Sequence, residues 1–172
     1  SGVLDADRQA HDIRSGARLR MDGCNRKVVA VAEGAILTGT GTLRLESSDL
    51  NVAAGDWNNG FQLQPDGGAR ISVPGAFTIP NGSVMRGAIS AASFTVPPDV
   101  AVTMGNLSFG GPVTIGERAT VLFDSTTVFG GTTTFGTNAV ATVGQFVTVT
   151  FNAASTNHGT IRLGSRNDGG QL

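Results

Sequence analysis

The sequence predicts an all-β fold, a parallel β-helix whose coils of about 16–20 residues each carry three short strands. Three observations carry that expectation. The first is a repeat: between Phe61 and Phe151 the chain divides at apolar-x-apolar triplets beginning at Phe61, Phe77, Phe94, Val113 and Thr133. Each triplet leads into a turn of Pro, Gly, Asp or Asn, then into a second alternating run such as Val100-Ala101-Val102 or Ala119-Thr120-Val121. Fuller copies add a third run, as in Asn106 to Phe109 and Ser125 to Phe129, and a Gly-Gly pair closes the unit. The second observation is the alternation itself. It turns the outer residues of each triplet inward and the middle ones (Gln62, Thr78, Thr95, Thr114) to solvent. The third is energetic. The few apolar side chains of one unit recover less free energy on burial than ordering the unit costs, so units must stack and share a core. Stacking pairs their backbones along the axis at about 4.8 Å, and about eight coils would make a rod of roughly 38 Å. A right-handed coil is favoured, because the apolar-Gly-x4 hexad of left-handed helices is hinted at only by Ile115-Gly116 with Val121.

Taken in order, residues 1–12 stand apart as an N-terminal cap or linker. Leu4, Asp5, Asp7, Arg8, Gln9 and His11 suit a turn or two of helix, or a lead-in without fixed structure. The solenoid is expected over residues 13–163. Ser15 to Leu19 and Glu33 to Leu37 share a turn-then-strand pattern 18 residues apart, separated by a polar protrusion from Met21 to Lys27. Leu43-Arg44-Leu45 and Leu50-Asn51-Val52 read as two sides of a coil. Residues 53–60 form a polar loop around the sole tryptophan, and the five clear units follow. Residues 152–159 are a second polar loop, Thr160 to Leu163 a last strand, and 164–172 a flexible tail. The expected core comprises Phe61, Leu63, Ile71, Phe77, Ile79, Phe94, Val96, Val102, Val113, Ile115, Val121, Phe135 and Val143.

Composition bounds the function. The 172 residues carry a formal charge of −1 and only 15% charged side chains, which gives no electrostatic reason to expect nucleic acid or an anionic membrane. Arg14, Arg18, Arg20, Arg26, Lys27 and Arg44 cluster near the start but lack interleaved aromatics, so they read as a solvated face. No apolar run is long enough to insert into a bilayer. Cys24 is the single cysteine, His11 and His158 are the only histidines, and no set has metal-ligand spacing, so no metal or other cofactor is expected. Gly-x-Ser-x-Gly, Walker and His-Glu-x-x-His motifs are missing from the sequence.

Two constellations remain as candidate sites. Asp56, Trp57, Asn58 and Asn59 could bind carbohydrate, the indole stacking on a sugar face while the polar groups fix hydroxyls; the alternative is a tryptophan folded back into the solenoid. Placed in register, Asp66, Asn81, Asp99, Glu117 and Asn138 fall at one corner of successive coils. Asp99 and Glu117 would then stand about 5 Å apart, the carboxylate separation of retaining glycosidases. Against this, Asp and Asn suit such turns by bonding local N–H groups, and stacked like charges repel. The Thr-x-Thr runs at Thr38, Thr132 and Thr148 suit ordered water, as in ice-binding solenoids. They do not recur coil after coil in the sequence, which favours β-propensity as their reason.

The run from Ile13 to Gly23 and that from Val28 to Glu46 are similar to segments of the β-helical passenger domains of autotransporters and filamentous-haemagglutinin-like adhesins. They share an alternating strand, a Gly-Ala turn and another alternating strand. The later units also resemble rungs of phage tail spikes and bactofilins. The resemblance brings no catalytic or binding motif with it. It implies a rigid extracellular, cell-surface or virion-surface rod used in adhesion, display or assembly. The expected function is thus a non-enzymatic structural or adhesive rod, the alternatives being a β-helical glycosidase or lyase, or a carbohydrate-binding module. Because an open coil leaves strand edges unpaired, self-association or continuation into a longer chain is expected at the C-terminal end.

Overall fold

In the computed structural model the described residues are 4–6, 11–13, 18–21, 28–32, 37–57, 60, 62–66 and 68–164. They form a parallel β-solenoid of about six turns, against the eight expected, and contain no helix. Strand Leu4–Ala6 pairs with Val28–Val31, and His11–Ile13 with Leu37–Gly39, so the start of the chain that suited a helical turn is partly strand.

Three ladders run along the axis, every pairing in them parallel. The first passes through Ala76–Thr78, Ser93–Val96, Val113–Ile115, Thr133–Phe135 and Ser155–Asn157. The second passes through the first part of Ala101–Phe109, then Thr120–Phe123, Val140–Val143 and Thr160–Leu163. The third begins in Leu4–Ala6, Val28–Val31, Asp49–Val52 and Arg70–Ser72 and ends in Thr127–Phe129 and Val149–Phe151. Strands Val84–Ser90 and Ala101–Phe109 run on round the corner, and so join the second and third ladders into one sheet. Gly87, at φ 92, sits at the register shift that lets the first of these strands turn, a conformation few other residues adopt.

The coils differ in length, which hides the register from simple alignment. Phe77 pairs with Phe94, Phe94 with Val113, Val113 with Thr133 and Thr133 with Ser155, offsets of 17, 19, 20 and 22 residues. The growth lies mainly at the corner between the second and third ladders. That corner lengthens from Met104–Leu107 to Phe123–Thr127 and then to Val143–Val149. The corner after the first ladder keeps its length over three rungs, Val96 to Ala101, Ile115 to Thr120 and Phe135 to Val140, and shortens by two residues from Asn157 to Thr160.

Two sequence alignments are corrected by the pairing. Leu19 pairs with Leu43, an offset of 24, so the 18-residue offset between the first two coils is not the structural repeat. The residue that faces Phe77 across the first ladder is Trp57. Phe61 lies outside the described residues, and the segment after it, Gln62–Asp66, pairs with Thr42–Glu46 instead.

The core is as expected at every described position. Leu63, Ile71, Phe77, Ile79, Phe94, Val96, Val102, Val113, Ile115, Val121, Phe135 and Val143 are all buried. Aromatic rings make a file through it. Trp57 stacks on Phe77, Phe77 meets Phe94 edge-on, Phe94 meets Phe109 with centroids 4.7 Å apart, and Phe109 stacks on Phe129 at 5.2 Å. The closing Gly-Gly pairs have a steric reason. A Cβ on Gly131 would lie 2.8 Å from the Pro112 nitrogen, on the backbone of the rung beneath.

Candidate functional site

A sugar platform at residues 53–60 requires an exposed indole, and Trp57 is 2% exposed. Its ring stacks on Phe77 with centroids 6.4 Å apart and planes 9° from parallel. The cause is register: Trp57 occupies the inward place of a short bridge in the first ladder, the place Phe77 and Phe94 hold above it. Asp56 is used locally, its Oδ1 accepting the Ala76 N–H at 2.7 Å. Asn58 and Asn59 lie outside the described residues. The cluster therefore joins rungs, and its aromatic member presents no face to solvent.

The carboxylate corner is also rearranged. Because Val96 pairs with Ile115 and Ala101 with Thr120, Asp99 comes opposite Arg118 rather than Glu117. Asp99, Arg118 and Asn138 stack as one column and share left-handed backbone, with φ of 59, 55 and 58. Asp66 ends Gln62–Asp66 and belongs to another corner, while Asn81 accepts the Ala101 N–H at 2.9 Å. Arg118 grips Asp99 with two bonds, Nε to Oδ1 at 2.7 Å and Nη2 to Oδ2 at 2.8 Å, and its Nη1 also reaches Glu117. Hydrogen bonds from Arg118, helped by its charge, hold the Asp99 carboxyl below its ordinary range. A general acid needs the opposite shift, and a nucleophile of this kind needs a free face. Here the guanidinium occupies the space between the two carboxylates.

A second ion pair spans two turns. Arg86 and Asp124 meet across the rung between them. Gly105 makes the path: a Cβ there would collide with the Asp124 carboxylate and come within 2.9 Å of Ser125 Cβ.

Among the described residues, the interior is open at the C-terminal end. Phe146 is 91% exposed and Leu163 78%, with Phe151 and Ile161 more than a third exposed. Phe151, Ile161 and Leu163 line a mouth of about 320 Å³ together with Phe123, Phe135, Val143 and Val149, and Phe146 lies on the neighbouring surface with Val143, Val147 and Leu163. The lengthened corner carries Phe146 outward in left-handed conformation at φ 59, which is rare for a bulky side chain. Strands Val149–Phe151, Ser155–Asn157 and Thr160–Leu163 each pair on one side only among the described residues. The sequence pointed to this end through the unpaired edge an open coil leaves, but gave no signal for Phe146, whose exposure follows from the extra residues of its corner.

Among the described residues no group of three or more His, Cys, Asp or Glu gathers, and no helix is long and apolar enough to cross a membrane. Searches of family models, curated proteins and solved structures found no match to this chain.

Proposed function

We propose that this chain is a non-enzymatic structural or adhesive rod, a component of a surface, fibre or virion-spike assembly whose C-terminal rung stacks on further β-structure. The observation that carries this reading is the open end, where Phe146, Phe151, Ile161 and Leu163 expose apolar surface beside three strand edges. Such edges are templates for pairing, and a coil supplied by another copy or by continuing chain would cover both the edges and the mouth. The enzymatic alternative draws no support from Asp99 and Glu117, which Arg118 pairs. The carbohydrate-module alternative draws none from the buried Trp57. An extracellular or virion-surface location goes with this reading.

Light scattering over a wide concentration range tests it. The chain should associate with rising concentration, and Leu163→Asp should weaken the association while leaving the circular dichroism spectrum unchanged. A chain that stays monomeric at the highest attainable concentration overturns the proposal. So does turnover of pectin, alginate or capsular polysaccharide in a reducing-end or unsaturation assay.

A further inference from the structure

The outward positions of the first ladder hold a feature that the uneven coil lengths conceal. Thr78 pairs with Thr95, Thr95 with Thr114, Thr114 with Thr134 and Thr134 with Thr156. One threonine rank therefore runs unbroken over five successive strands, at a spacing of about 4.8 Å set by the ladder. Thr114, Thr134 and Thr156 are exposed, and Thr78 and Thr95 half-buried. Among the described residues no protein group hydrogen-bonds any of the five hydroxyls. Two places to either side of the rank stand only Ala, Ser, Thr, Pro and Gly, with His158 the sole titratable side chain.

We infer that this face binds the surface of crystalline water. Each β-branched threonine is held to few rotamers on a strand, so its hydroxyl and methyl repeat from rung to rung in fixed relation. The oxygen rows of hexagonal ice repeat at close to the rung spacing. A rank of uncommitted hydroxyls can enter such a row while the methyls fill the gaps between waters. The flanks contribute by their lack of charge: a charged side chain orders its own hydration shell and would have to be stripped of it. The ladder is backed by its buried inward residues, Phe77, Phe94, Val96, Val113, Ile115 and Phe135, so ordering the face costs little at the moment of contact.

Other occupants fit less well. A second copy would match the spacing, but a face of four rung intervals by about five residues covers only roughly 300 Å². A stable protein interface needs about 800 Å² from each partner. A glycan needs an aromatic platform, and this face has none. An ice front is a continuous solid, so a small contact area does not limit it as it limits a dissolved partner.

The test is independent of the proposed role as a rod, since it reads ice rather than association. The full chain is assayed for thermal hysteresis, ice-crystal shaping and inhibition of recrystallisation, with circular dichroism verifying the fold. The wild type should shape ice and suppress recrystallisation. Thr114→Lys with Thr134→Lys should abolish both effects, while Thr120→Lys, on the outer face of the second ladder, should keep them. A folded wild type that leaves ice growth unchanged overturns the inference. Equal loss in the Thr120→Lys control would overturn it too, as would a halving of molecular mass in the double variant, which would assign the face to a second copy.

Discussion

Two phenylalanines in adjoining parts of the chain should respond very unequally to the same substitution. Phe129 is fully buried between Phe109 and Phe151, stacked on the first at 5.2 Å and on the second at 5.0 Å, with Phe123 edge-on at 5.8 Å. Truncating a buried phenylalanine to alanine costs about 3–5 kcal/mol through lost burial and the cavity left behind. Ring pairs of this kind add about 0.5–1.5 kcal/mol each, so the upper half of that range is expected here. Phe146 is 91% exposed, and Phe146→Ala should lie within about 0.5 kcal/mol of wild type. Urea unfolding followed by circular dichroism and by the emission of Trp57 measures both. With a slope of about 2 kcal/mol per molar, Phe129→Ala should lower the midpoint by about 2 M. Trp57 lies several rungs away, so agreement between its transition and the dichroism also reports whether the solenoid unfolds as one unit. A loss below about 1 kcal/mol at Phe129, or an equal loss at Phe146, would refute the inward placement of the ring file.

Other expectations follow from single contacts. Ile115→Ala should cost about 2–5 kcal/mol in the same assay, because Ile115 is fully buried between Val96 and Phe135. Thr133→Val should raise stability by about 1 kcal/mol, since the buried Thr133 hydroxyl has no partner among the described residues. Gly105→Ala should destabilise by about 1–3 kcal/mol by pushing Asp124 off Arg86, and Asp124→Ala should relieve much of that loss. Asp99 should titrate below an ordinary carboxyl by NMR and return to it in Arg118→Gln. Its folded value is depressed, so the stabilisation from this pair is present above the unfolded carboxyl pKa. It is lost as pH falls through the folded value, and added salt should weaken it.

The inward residues were legible in the sequence because period-2 alternation marks them without any knowledge of pairing. Phe77, Phe94, Val113 and Ile115 belong to triplets whose turns are spelled out by Pro, Gly and Asp, and all lie where expected. Register was not legible in the same way, even at a corner of constant length such as Val96 to Ala101 and Ile115 to Thr120. Asp99 was matched to Glu117 because both follow a triplet, yet the ladder sets Asp99 against Arg118, one residue on. That single step converts a pair of like charges into an ion pair. Trp57 left two readings open in the sequence, and its burial decides for the folded-back one. Its inward-facing bridge is too short to show alternation, and its polar neighbours suggested a loop. The threonine rank was hidden by offsets of 17, 19, 20 and 22 residues, which no fixed period can superpose.

Register along the first ladder is the claim on which both the fold and the threonine face depend, and engineered cross-links test it directly. With Cys24 changed to serine, Thr114→Cys with Thr134→Cys places two thiols on neighbouring strands about 4.8 Å apart, within disulfide reach. Thr95→Cys with Thr134→Cys places them two rungs apart at about 10 Å, beyond it. Under mild oxidation, intact-mass measurement should show an intramolecular disulfide in the first variant and free thiols in the second. Free thiols in the folded Thr114/Thr134 pair, or ready cross-linking of the Thr95/Thr134 pair, would contradict the register.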